Sequence, residues 1–165
     1  MKQAGREAPI TPEDLVQTPA SPSGSREVRI LGLDVGEKRI GLAVSDPLGI
    51  TAQGLEVWLR QGLGQDLAHL VAVAKRYGVQ EIVVGLPRHM NGHTAEAAPA
   101  ILELAHALEA ALGVKVHTWD ERLTTVEAER LLLHADVSRR RRRQVVDKLA
   151  AVLILQAFLD HRGQG

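Results

Sequence analysis

Three acidic positions stand where carboxylates are costly, and their arrangement is the strongest chemical signal in the chain. Asp34 lies within the apolar run Val28-Arg-Ile-Leu-Gly-Leu-Asp-Val35. Such a run suits a central strand covered on both faces. Asp120-Glu121 directly follows a second apolar run, Val114–Trp119. Asp147 shares helical spacing with Ala150, Ala151, Ile154 and Phe158, so it stands at the start of an inward stripe. An ionised carboxylate is rarely buried without a partner, because removing it from water costs several kcal/mol. Each acid also has a plain structural reading. Asp34 could cap the turn at Gly36, and Asp147 could complement the helix dipole. Asp120 and Glu121 fall on opposite faces of a strand, so normally only one reaches a shared site. Alternation alone leaves the choice open, and Glu121 is favoured for its longer stem.

Taken together, acids from a first strand, a last strand and a following helix are a stronger signal than any one alone. Carboxylates held together repel unless a cation lies between them. Mg2+ or Mn2+ would suit, being hard ions that take carboxylate oxygens and leave positions for water and phosphate. A pair of such ions can clamp the attacking and leaving oxygens in phosphodiester hydrolysis. The expected metal and catalytic residues are therefore Asp34, Glu121 and Asp147.

The cations complement this picture. Arg139, Arg140, Arg141, Arg142 and Arg143 are consecutive, directly before the helix expected to carry Asp147. Formal net charge is zero, with 20 basic and 20 acidic residues; without these five arginines, 15 against 20 leaves −5. A mildly acidic body with one basic run suggests local contact with a polyanion. Lys38 and Arg39 near Asp34, and Arg122 beside Glu121, complete the expected substrate-binding set. His89 and His93 flank Asn91-Gly92 but read as surface histidines, since Pro87 and Gly92 argue against a helical zinc pair. Trp58 and Trp119 read as packing residues, with Trp119 near enough to the acids to stack a base.

The elements that must position these residues are legible from periodicity. Residues 1 to about 25 are rich in Pro, Ser, Gly and Glu and read as a disordered tail, leaving 26–165 as one domain. Val28–Val35 and Arg39–Ser45 form an expected hairpin, with Thr51–Leu59 a third strand. A helix follows from about Leu63 to Tyr77-Gly78, then a strand at Glu81–Leu86. A second helix spans about Thr94–Leu112, with Thr94 its candidate cap. The strand Val114–Trp119 and helices at about Thr125–His134 and Val145–His161 close the chain. This order predicts an α/β fold: a five-stranded mixed β-sheet with α-helices on both faces.

Composition narrows the class. At 165 residues, the chain suits a single core. It has no cysteine, which excludes disulfides and thiolate metal sites and points to a cytoplasmic setting. No apolar run is long enough to span a membrane, and no signal-peptide pattern is read at the N-terminus. Aromatic residues make up 2%, too few for an extended base-stacking platform.

Several motifs together resemble a known family. They are Gly32-x-Asp34-x-Gly36-x-Lys38-Arg-Ile-Gly41-x-Ala43-x-Ser45-Asp46, Val84-Gly-Leu-Pro87, Asp120-Glu-Arg122-x-Thr124-Thr125, and Asp147-Lys-x-Ala-Ala151 with Ile154-Leu-Gln156. Over about residues 28–160 the chain resembles the YqgF (RuvX-like) family of the RNase H-like superfamily, related to Holliday-junction resolvases. The resemblance implies an RNase H-like fold and a divalent-metal endonuclease using Asp34, Glu121 and Asp147. It further implies maturation of the 5′ end of pre-16S rRNA, with cleavage of branched DNA as the alternative. Symmetric cutting of a four-way junction would require a homodimer. The family's usual Met-Asp-Gly loop reads Met90-Asn91-Gly92 here, so a charge is missing. Two other classes compete: a non-catalytic RNA-binding assembly factor, opposed by the presence of all three acids, and an actin-like phosphohydrolase. The latter needs two related domains, for which the chain has no room.

Overall fold

The computed structural model describes residues 27–87, 92–121 and 139–164, with side chains excepted at 92–96, 139–147 and 164. The expected tail over residues 1–25 and the expected helix at 125–134 lie outside the described residues. Strands β1 (Arg29–Val35), β2 (Arg39–Ser45) and β3 (Ala52–Leu59) come first. They are followed by α1 (Leu63–Arg76), β4 (Val79–Leu86), α2 (Gly92–Leu112), β5 (Lys115–Asp120) and α3 (Arg139–Gln164). The strands form one sheet in the order β3-β2-β1-β4-β5. β1 pairs antiparallel with β2 and parallel with β4; β2–β3 is antiparallel and β4–β5 parallel. The expected mixed sheet is therefore present, with the nearly all-apolar β1 at its centre.

Alternation along the strands builds two cores. Leu31, Leu33 and Val35 of β1 pack with Ile82, Val84 and Leu86 of β4 against α1 and α2. Ile30, Ala43 and Val83 face the other way, against Ala150, Ala151, Ile154, Leu155 and Phe158 of α3. The second face is tightly packed. A Cβ at Gly32 would come within 2.7 Å of Leu155 Cβ and 3.3 Å of the Ala151 carbonyl oxygen, so only glycine lets α3 lie this close.

Two helix boundaries differ from expectation. α3 starts at Arg139 rather than near Val145, so the arginine run forms its first turns instead of preceding it. Arginine is a good helix former, and a polar first turn carries no hydrophobic period to reveal it. Thr94 lies inside α2, which begins at Gly92, and so does not cap it. α1 ends as expected: Gly78, at φ +63°, donates its N–H to the Lys75 carbonyl.

Candidate active site

Asp34 and Glu121 share one face at one edge of the sheet. On β1, Ile30, Gly32 and Asp34 point toward α3, and Asp34 retains only 5% exposure. Its β2 partner is Gly41. On the β4 side, Leu33 pairs with Val84, which places Asp34 beside Gly85. The carboxylate is thus flanked by two residues without side chains, and at Gly85 the space a Cβ would take is used by Ile154 and Glu121. Glu121 follows β5 and keeps the parity of His117 and Trp119, both of which pack on Phe158 of α3. It is 7% exposed. Its Oε1 lies 3.0 Å from the point where a Cβ on Gly85 would sit. Asp120 pairs with Leu86 and takes the opposite parity. Of the two adjacent acids, Glu121 is therefore the one on Asp34's face, and Gly85 is the floor between them.

α3 brings the third acid toward this edge. Arg162 Nη2 meets Glu81 Oε2 at 2.8 Å near the start of β4, while Ile154 lies over Gly85 near its end. The helix therefore runs antiparallel to β4. Asp147, seven residues before Ile154, falls about 10 Å further along the helix axis, toward the C-terminal edge of the parallel strands. The side chain of Asp147 lies outside the described residues, as do those of Arg139, Arg140, Arg141, Arg142 and Arg143. Arg122, His89 and Asn91 lie wholly outside them. Among the described residues no three acidic or histidine side chains come together as a metal cage. Two buried carboxylates over a glycine floor, with an acid-bearing helix arriving from above, are a donor set that fits a hard divalent ion.

Lys38 is exposed in the β1–β2 turn, and Arg39, half-buried, opens β2 opposite Leu59. Trp119 packs edge-on to Phe158, with ring centroids 6.0 Å apart, and against His161 at 5.6 Å. This agrees with its packing role. Other residues of the motifs serve the framework. The Ser45 hydroxyl oxygen accepts a hydrogen bond from the Ile30 N–H at 2.8 Å. Asp46 Oδ1 accepts from the Ile50 and Thr51 N–H groups, at 2.6 and 2.9 Å, closing the β2–β3 turn. Gln156 accepts from the Ala52 N–H at 2.9 Å and donates to the Ile50 carbonyl at 3.0 Å, tying α3 to β3.

A network that the sequence did not reveal braces the turn after Asp34. Asp66, in the first turn of α1, has a fully buried side chain. It accepts from Trp58 Nε1 at 2.9 Å, Arg60 Nε at 3.0 Å and the Gln61 N–H at 2.8 Å. Burial pushes its carboxyl up, but these hydrogen bonds and the charge of Arg60 outweigh it and hold it below the usual carboxylate range. Arg60 Nη1 in turn donates to the Gly36 carbonyl at 3.1 Å, two residues beyond Asp34. In sequence, Asp66 resembles any acid in a first helical turn; only its complete burial distinguishes it.

This architecture is an RNase H-like fold. A solved structure of Thermus thermophilus RuvC in complex with a Holliday junction substrate superposes with a TM-score of 0.56 at 18% identity, covering 84% of this chain and 98% of that one. Residues 28–161 match the family model described as "RuvX: Holliday junction resolvase", and the chain belongs to the RuvX family. A relative from Moorella thermoacetica is 58% identical over 137 residues, covering 83% of this chain and 98% of its own length. Another, from Symbiobacterium thermophilum, is 56% identical over 135 residues, covering 82% and 94%. Both carry the name "Putative pre-16S rRNA nuclease".

Proposed function

We propose that this chain is a divalent-metal-dependent endonuclease that hydrolyses phosphodiester bonds in the 5′ region of precursor 16S rRNA, in the cytoplasm. The observation that carries this reading is the pair Asp34 and Glu121, both buried, on one face of the sheet about Gly85. Asp34, Glu121 and Asp147 are the residues that would hold Mg2+ or Mn2+. When bound, the metal would lower the pKa of water and stabilise charge on the leaving oxygen.

The chain's own residues supply position and charge. Asp34 is fixed on the central strand, paired on both sides, so its carboxylate is held without loop motion. Gly85 beside it lets Glu121 and Ile154 close in on the same face. Lys38 lies in the turn that follows Asp34 and Arg39 opens β2 directly after it, close enough in sequence to meet the backbone of the cut strand. The arginines at 139–143 open the helix that carries Asp147. They bring positive charge to a helix end whose dipole already disfavours it, and a phosphate chain relieves that repulsion.

The description of the family model supports a second reading, cleavage of branched DNA, for which a homodimer with paired sites would be needed. One preparation assayed on precursor rRNA fragments and on synthetic four-way junctions, with Mn2+ and with chelator, separates the two. Cutting of the rRNA that chelator abolishes is expected. The variant Asp34→Asn should still bind RNA but cleave at least about 1,000-fold more slowly, since metal-assisted charge stabilisation is worth several kcal/mol. Undiminished cleavage by that variant would remove Asp34 from the mechanism.

A further inference from the structure

A cleft of about 440 Å3 opens at the same sheet edge as Asp34, on the α2 side. Gly36, Glu37 and Arg60 line one wall, and Ala97, Ala100 and Ile101 of α2 line the other. Val35, next to Asp34, also borders it. The volume lies within the roughly 300–1,000 Å3 range of small-ligand sites. Its chemistry is asymmetric: one wall is small and apolar, and the other offers one fixed donor group and one carboxylate.

Arg60 is oriented before any ligand arrives. Nε is held by Asp66 and Nη1 by the Gly36 carbonyl, and the side chain is 21% exposed. Among the described residues no acceptor is paired with Nη2, which leaves guanidinium N–H groups for a ligand. Asp66 already balances the charge of Arg60, and Glu37 adds a negative charge at the rim. A phosphate would therefore find no net positive charge in the cleft. A neutral, flat group with acceptors for Arg60, donors for Glu37 and apolar faces for the alanines fits better. That description matches a nucleobase. Guanine matches best, because arginine pairs with its O6 and N7 while a carboxylate can take its N1–H and N2–H groups.

We propose that this cleft holds an unstacked base, preferably guanine, of the strand whose phosphate lies at Asp34. This inference rests on the nuclease reading and adds to it a preference for single-stranded sequence, where bases can be splayed out and read on their edges. The metal would be held on the α3 face and the neighbouring base on the α2 face, so the strand would cross the sheet edge.

The test uses the full chain in two arms. The first measures binding of twelve-nucleotide single-stranded RNAs to Asp34→Asn, with one position varied through the four bases, so no cleavage is needed. Guanine should be preferred at one position by at least about fivefold. Ala100→Phe, which fills the cleft from the exposed face of α2, should erase that preference; so should Glu37→Gln, in an exposed turn. Equal binding of all four bases, or an unchanged preference in Ala100→Phe, would overturn the proposal. The second arm titrates GMP by calorimetry and then adds the preferred RNA. GMP binding that the RNA does not displace would mark a free-nucleotide site and overturn the strand assignment. Base-selective binding without any cleavage by the unmodified chain would sink the nuclease reading yet leave the cleft's selectivity standing. Cleavage without base selectivity would do the reverse.

Discussion

Asp66 shows how much one hidden carboxylate can govern. It accepts hydrogen bonds from an indole, a guanidinium and a backbone amide while wholly shielded from water. Its folded-state pKa is lowered, so the stabilisation it provides is complete above about pH 4 and is lost as pH falls through that lower value. Glu81, lowered by Arg162 and His117 against the opposing effect of burial, acts in the same direction. Urea midpoints measured from pH 7 down to pH 2 should therefore decline below about pH 4, and Asp66→Asn should flatten part of that decline. At neutral pH the same variant should lose about 3 kcal/mol, the range for breaking a buried ion pair. A stability indistinguishable from the parent would show that the network is dispensable. Asp34 was legible in sequence because a charge interrupts an apolar strand. Asp66 was not, because its partners Trp58, Arg60 and Gln61 are brought to it by the fold and carry no motif.

At the scale of elements, glycines set how closely α3 can approach the sheet. A Cβ at Gly85 would meet Ile154 Cδ1 at 2.5 Å and Glu121 Oε1 at 3.0 Å. Gly85→Ala should cost about 1–3 kcal/mol through overpacking. It should also push the Glu121 carboxylate by a few tenths of an ångström, so the rate should fall if that group holds the metal. Adding Ile154→Val makes room for the methyl group without touching Glu121. The double variant should regain most of its melting temperature but not its activity; recovery of both would mean that the placement of Glu121 at Gly85 does not limit cleavage. The strands were readable from their β-branched runs and the Gly and Pro residues that bound them. The start of α3 was not, because five consecutive arginines carry no hydrophobic period to mark where the backbone turns helical.

For the molecule as a whole, the proposed site is a place where like charges are gathered by folding. A divalent ion that binds there and not to the unfolded chain must raise stability, by about 2.7 kcal/mol at a hundredfold excess over its Kd. Thermal melts with millimolar Mn2+ should shift upward by several degrees, and the shift should shrink in Asp34→Asn. An unchanged melt would count against any metal at these acids. Among the described residues no helix is long and apolar enough to cross a membrane. The mixed five-stranded sheet and its two covered faces followed from the sequence of strand and helix periods, whereas the strand order β3-β2-β1-β4-β5 comes from the structure. The face shared by Asp34 and Glu121 did not, since it depends on how β1, β4 and β5 are registered.

The two cores lie on opposite faces of the sheet, and among the described residues α3 is the helix that closes one of them. The acids proposed for catalysis belong to the face that α3 covers: two on the sheet, one on the helix. Lifting α3 would separate Asp147 from the other two while leaving α1, α2 and the strands packed together. If these acids act together, activity should fall before global unfolding as the chain is warmed, with the docking strength of a single helix setting the limit.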